Sequence, residues 1–270
     1  MSLINSTVVD FNLIEQQFQR DRAIQGDNPF REFPQNCIVI GIGGIGGHVA
    51  EILSSISNVG NIVLFDSDIV EINNLNRTVF SYPHVGAYKV EAMQQIITTR
   101  NVSPNIIPIN RQFNEETCNL ICDDTELDFI RFNSSFVFDC RDNFYGDYGL
   151  FEKIAANDQV KYKILRAAYN GLSITIDMNP ESHPVWGGGG YNQETGSHSV
   201  PSRLAALLVV ICAAKYNYLK GTPLFNIPLT FDAQKIIDFI FKGISIDQLG
   251  QSEKDSVLHT LEKNINKDKK

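Results

Sequence analysis

The sequence predicts an α/β fold: a doubly wound sheet, mostly parallel, with a few antiparallel strands in its C-terminal half. Two observations predict it. From Cys37 to Phe138, short apolar, β-branched runs alternate with segments of helical spacing, the order strand, helix, strand, helix. The first run also leads directly into a glycine cluster, IVIGIGGIGG from Ile38 to Gly47, ahead of the first helical segment.

Taken in order, residues 1–35 are polar, rich in Asn, Gln and Arg, and end in the Pro-bearing stretch Asn28 to Pro34, so they read as an N-terminal arm. Cys37 to Ile40 is a buried parallel strand. His48 to Ser57 carries Val49, Ile52, Leu53 and Ile56 at helical spacing. Asn61 to Phe65 is a second strand, and Lys89 to Thr99 a second helix through Val90, Met93, Ile96 and Ile97. Asn105 to Ile109 and Ser135 to Phe138 supply the third and fourth strands. Lys163 to Ala167 and Leu172 to Met178 follow, separated by the turn Asn170-Gly171.

Periodicity vanishes between Asn179 and Pro201, a long loop with four consecutive glycines from Gly187 to Gly190. Ser202 to Leu219 is an apolar helix. From Leu229 onward two amphipathic helices are expected, with a charged tail ending KNINKDKK. The expected organisation is an arm over 1–35, a nucleotide-binding domain over 36–225 that includes the loop 179–201, and a helical extension over 226–270.

Bulk properties restrict the function. The chain has 270 residues, 43% hydrophobic, enough for one large core. A net charge of −8 supplies no basic field for a phosphodiester backbone, so nucleic acid is an unfavoured partner. The first residues lack the basic flank and apolar core of a signal peptide. The longest apolar run, Leu204 to Ala214, is shorter than the roughly 20 residues of a membrane span, so a cytoplasmic protein without a membrane segment is expected. The five cysteines (37, 118, 122, 140 and 212) never form a CxxC pair, which signals buried thiols rather than disulfides or a zinc site.

The glycine cluster is the first functional signal. Gly41-x-Gly43-x-x-Gly46 lies between a predicted strand and a predicted helix, where glycines let the backbone approach phosphates and the helix start offers free amides. Asp66 ends the next strand 20 residues after Gly46, placed to accept ribose hydroxyls. These features predict a nucleotide and leave NAD, FAD and ATP open.

The segments that follow narrow the choice. Asp66 to Arg77 is a polar run ending NLNR, Lys89 opens a helix, and Phe138 to Asn143 (FDCRDN) puts Asp139 and Asp142 at the carboxyl edge of the sheet. Arginine and lysine neutralise charge on a phosphate chain, and a carboxylate such as Asp142 holds Mg²⁺. Hydride transfer needs none of these.

IVIGIGGIGG, FDSDIVEINNLNR, GAYK and FDCRDN, in that order, resemble the ThiF/MoeB/HesA-type activating enzymes, a Rossmann-like family that includes the adenylation domains of ubiquitin-activating enzymes. The resemblance spans residues 37–178 and implies an adenylyltransferase that uses ATP and Mg²⁺. Its implied substrate is the C-terminal carboxylate of a small ubiquitin-like or sulfur-carrier protein or peptide, and its implied state a homodimer. By matching position, Gly41, Gly43, Gly44 and Gly46 would lie against the phosphates and Asp66 at the ribose. Asn74, Arg77 and Lys89 would contact phosphates, and Asp142 would hold the magnesium.

This chain departs from the pattern in lacking paired CxxC motifs and in having no cysteine between Asn179 and Pro201. Adenylation without a thioester step in this chain is therefore expected, with Cys140 and Cys212 as core thiols. Arg20, Arg22 and Arg31 are arm arginines of the kind such dimers exchange. Trp186 to Tyr191 is a clamp or a plain connection, and His183 and His198 are solvated loop histidines. The alternatives are a catalytically silent partner that binds a ubiquitin-like protein, a tRNA-modifying relative, and a nicotinamide-dependent oxidoreductase.

Overall fold

Alternation along the central strands decides the layering. Cys37 and Val39 enter one buried apolar cluster, and their neighbours Ile38 and Ile40 enter another on the opposite face. A strand buried on both faces must be covered on both, and this chain does so with helices. The computed structural model describes residues 11–22, 28–122, 135–141, 154, 162–180, 198–226 and 228–232.

Among the described residues seven strands form one sheet: β1 (Asn36–Ile40), β2 (Asn61–Phe65), β3 (Asn105–Ile109), β4 (Ser135–Asp139), β5 (Tyr162–Asn170), β6 (Ser173–Asp177) and β7 (Leu229–Asp232). Their spatial order is β3-β2-β1-β4-β5-β6-β7. The pairs from β3 through β5 are parallel, and β5–β6 and β6–β7 are antiparallel. The helices are α1 (Phe11–Gln17), α2 (Gln19–Arg22), α3 (Gly46–Leu53), α4 (Lys89–Arg100), α5 (Glu115–Cys122) and α6 (Ser199–Tyr218). This is the doubly wound, mostly parallel sheet that the alternating pattern predicts, with its antiparallel strands in the C-terminal half.

The chain runs outward from β1 to β2 to β3, then returns so that β4 lies on the other side of β1. The point between β1 and β4 where strand order reverses opens a crevice at the carboxyl ends of the strands, the place where such sheets bind ligands. Gly41 follows β1 there, and Cys140 and Arg141 follow β4.

Element boundaries differ from expectation in several places, of which four matter here. The first helix starts at Gly46 and stops at Leu53 instead of spanning His48 to Ser57. Ser54 turns its hydroxyl onto the Glu51 carbonyl, and such local bonds compete with helix propagation. The β5–β6 hairpin turns on Gly171-Leu172, one residue beyond the expected Asn170-Gly171, with Gly171 at φ +58°.

At the N-terminus, residues 11–22 are helical and fastened to the sheet layer. Phe18 is buried, and Gln17 bonds both Asn101 and the Val102 amide. At the other end Leu229–Asp232, expected as helix, is strand β7. It pairs with β6 from Leu229↔Ile176 to Asp232↔Ser173, because an open antiparallel edge offers more than a free helix can gain. Residues 233–270 lie outside the described residues.

Two further details show tertiary context at work. Pro108 sits within β3, which tolerates it because β3 pairs only with β2 among the described strands. Helix α6, 20 residues long, has the length and composition of a membrane span, longer than its 11-residue apolar run implied. It packs against α3, β5 and β6 with a buried face of Ala205, Ala206, Val209, Val210, Ala213 and Ala214.

Phe138 lies fully buried in β4, edge-on to Phe136. Phe138→Ala is expected to destabilise the fold by about 3–5 kcal/mol, measured as a shift in the urea unfolding midpoint at unchanged slope.

Candidate functional site

The loop after β1 is shaped by what its glycines approach. Gly41 has φ +84° and donates its amide to the Phe65 carbonyl at 2.8 Å, which seats the loop beside the end of β2. A Cβ on Gly46 would stand 1.8 Å from the Gly41 carbonyl oxygen, so only glycine lets the start of α3 pass under the end of β1. Gly44 is enclosed: a Cβ there would meet the Tyr169 hydroxyl at 3.1 Å, Ser202 Cβ at 3.4 Å and Arg77 Cγ at 3.5 Å. Gly43 differs from all of these, because nothing lies within 4 Å of where its Cβ would point. The loop is packed from behind and open in front of Gly43.

Asp66 is joined to this loop directly. One carboxylate oxygen accepts the Ile42 amide at 2.6 Å and the other accepts the Asp68 amide at 2.8 Å. Burial raises its pKa, while Lys89 and the two amides pull the other way. The sign follows: with the folded value raised, this carboxyl favours folding most when protonated, and the contribution is lost as pH rises through its folded pKa. At neutral pH its ionisation is a cost that the loop amides and Lys89 offset.

Lys89 opens α4 and is buried. Its Nζ sits 2.7 Å from Asp68 Oδ2, on the exposed carboxylate two residues beyond Asp66. The segments that carry the pair are held together by backbone bonds from Lys89 N to Asp68 O and from Val70 N to Ala87 O. Arg77 reaches the loop from the other side. Its guanidinium bonds Asn73 O at 2.6 Å and Asn76 Oδ1 at 3.1 Å, and its stem lies beside Gly44.

Asn74, expected to contact phosphate, is buried, with its side-chain oxygen accepting the Glu71 amide and its NH₂ donating to Asn73. In this structure it shapes the turn that presents Arg77. Asp142 lies outside the described residues.

The β4 edge adds an ion cluster that no spacing in the sequence announces. Asp139 is fully buried and accepts Arg141 Nε at 2.8 Å and Arg166 Nε at 3.1 Å. Asp177, also buried, stands opposite Arg166 in the β5–β6 register. Arg141 lies close against Gly41, its Cγ 3.0 Å from where a Cβ would be. A buried charge requires a partner, so an arginine inside the apolar strand YKILRAAYN was the one available signal for Arg166.

Cys37, Cys118, Cys140 and Cys212 are buried free thiols. Burial raises the Cys140 thiol well above its ordinary range, with Asp139 adding to the effect, and pushes Cys212 up to about 12. None of these is an activated nucleophile. His198 serves as the helix cap of α6, its Nδ1 accepting the Val200 amide at 3.1 Å. Among the described residues no three His, Cys, Asp or Glu side chains gather as a metal site. His183 and the loop around Trp186 to Tyr191 lie outside them.

Comparison with known proteins finds relatives of this chain. The model of the ThiF family matches residues 31–184, more than half of the chain. The Escherichia coli molybdopterin-synthase adenylyltransferase is 35% identical over 107 residues, covering 39% of this chain and 39% of that protein. Ubiquitin-like modifier-activating enzyme 5 of Branchiostoma floridae is 34% identical over 103 residues, 38% of this chain and 25% of that protein. The chain thus spans between a quarter and two fifths of these curated relatives. Among solved structures, the E. coli tRNA N6-threonylcarbamoyladenosine dehydratase in complex with AMP shares the fold. Its TM-score is 0.59 at 18% identity, over 80% of this chain and 99% of that one.

The steric contrast between the glycines is testable. Gly46→Ala is expected to cost several kcal/mol or abolish folding, since the methyl meets backbone, while Gly43→Ala stays within about 0.5 kcal/mol of the parent. Thermal unfolding of the two variants side by side checks both.

Proposed function

Because the chain belongs to the ThiF family, we propose that it is an adenylyltransferase that uses Mg-ATP to activate a C-terminal carboxylate of a small ubiquitin-like or sulfur-carrier protein, or of a peptide. One observation carries this reading. At the switch point of the sheet, a glycine loop with an open front at Gly43 is flanked by Asp66 and Lys89 on one side and by Arg77 on the other. A nicotinamide cofactor would use the loop and Asp66, and would leave both cations without a task.

The loop fits a phosphate chain because an amide-lined turn that a Cβ would obstruct is free where Gly43 faces outward. Asp66, already oriented by two amides, accepts the ribose hydroxyls. Lys89 and Arg77 neutralise the phosphates, Lys89 by exchanging its bond to exposed Asp68 for one to a phosphate oxygen. Asp142 would hold the magnesium, which supplies charge neutralisation between the phosphates. A carboxylate and an α-phosphate repel each other, so the protein's work is to hold them in line and screen their charge while pyrophosphate leaves.

The described thiols are buried, and Asn179 to Pro201 contains no cysteine, which favours release of the activated carboxylate to a nucleophile from outside this chain. The homodimer implied by family resemblance belongs to the same proposal.

Mg-ATP is expected to raise the melting temperature more than NAD does, with about 2.7 kcal/mol of stabilisation at a hundredfold excess over Kd. Gly43→Ala, silent on the free protein, is expected to remove most of that shift. Arg77→Ala and Asp142→Ala should each lower carboxylate-dependent ATP–pyrophosphate exchange by about 100-fold. A shift with NAD alone would overturn the assignment. Tight tRNA retention on filters at low salt would move the substrate from a protein carboxylate to a nucleoside.

A further inference from the structure

The carbonyl of Arg77 is a junction between three elements. It accepts His48 Nε2 at 3.3 Å from the first turn of α3, and Ser202 Oγ at 3.1 Å from the first turn of α6. Both side chains are buried, Ser202 completely and His48 with 4% exposure. A carbonyl has two lone pairs, and here each faces a side chain from a different helix, the single hydrogen of Ser202 Oγ being shared with the Ser199 carbonyl at 3.0 Å.

The guanidinium of Arg77 is held separately by its own turn, through Asn73 O and Asn76 Oδ1. The turn is closed from within by Thr78, whose hydroxyl bonds Asn74 O at 2.9 Å. The turn therefore shapes the arginine side chain, while the helices decide where the turn sits. Gly44 reports the same convergence, with Ser202 Cβ and Arg77 Cγ both against it.

We propose that Ser202 and His48 are positioning residues for Arg77, fixing its backbone so that the guanidinium stands over the glycine loop. The proposal rests on the adenylating role assigned to Arg77 above. Because a carbonyl only accepts, Nε2 of His48 carries the hydrogen and Nδ1 faces Glu51 at 3.5 Å. Burial, together with Arg203, holds the imidazole below its ordinary pKa against the opposing pull of Glu51 and of the Arg77 carbonyl. Losing either donor leaves a lone pair of the Arg77 carbonyl without its hydrogen bond, and the turn settles elsewhere.

The test measures the ATP dissociation constant by calorimetry, with magnesium present, so no carboxylate substrate is needed. Ser202→Ala and His48→Leu are each expected to weaken ATP roughly 3- to 10-fold, the size of one lost hydrogen bond. His48→Gln, which keeps an N–H donor, should stay within about twofold of the parent. In an Arg77→Ala background neither substitution should weaken binding further, whereas in a Lys89→Ala background both should act at full size.

Equal effects in the Arg77→Ala and parent backgrounds would show general packing and overturn the proposal, as would a His48→Gln variant as weak as His48→Leu. If Ser202→Ala does not fold, the His48 pair decides alone. Failure of the parent protein to bind ATP, or unchanged binding in Arg77→Ala, would strike the adenylating role itself. Weakened binding in Arg77→Ala with no effect from Ser202→Ala or His48→Leu would overturn this inference only.

Discussion

The passage of Gly46 beneath the carbonyl of Gly41 is the constraint on which the rest of the site depends. With a would-be Cβ at 1.8 Å from that oxygen, no side chain of any kind fits, so the chain reverses from strand to helix within five residues. The reversal brings α3 close to the end of β4, where the Cβ of Cys140 would lie 3.3 Å from one on Gly46. It also turns the Ile42 amide toward Asp66. A looser loop would leave the amides, the aspartate and the helix start as three separate features instead of one concave wall.

Charge around that wall is arranged in two ways. On the β4 side, Asp139 is locked between Arg141 and Arg166 in the interior, an arrangement in which removing Asp139 takes from two guanidinium groups the carboxylate that both bond. It is a structural clamp that fixes the edge of the sheet. On the β2 side, Lys89 is paired with an aspartate that is mostly exposed. The lysine side chain is 11% exposed and the carboxylate 67%, so only the anion of this pair faces water. One set of charges is enclosed on both partners, and the other is open on its carboxylate side.

The cysteines follow the same separation. Each described thiol is buried, and burial raises Cys37, Cys140 and Cys212 above the ordinary thiol range, so these three stay in their neutral form. Two histidines have structural tasks: exposed His198 caps α6, and buried His48 bonds the Arg77 carbonyl.

Much of this was legible in the residues alone. The strands from β1 to β6, the start of α4 at Lys89, the glycine loop and Asp66 all follow from local pattern, because strand burial, helix periodicity and a glycine's backbone freedom are properties of neighbours in the chain. What only the tertiary structure decided are matters of distance between remote segments. Leu229–Asp232 became a strand because β6 had an open edge. Residues 11–22 docked because Gln17 found Asn101 and Val102. Asn74 was drawn into shaping a turn, Arg166 was paired with Asp139 across two strands, and Ser202 met Arg77 from 125 positions away. Hydrogen bonds and ion pairs act over a few ångströms, so a linear sequence can show which groups seek partners, but only the folded chain selects them.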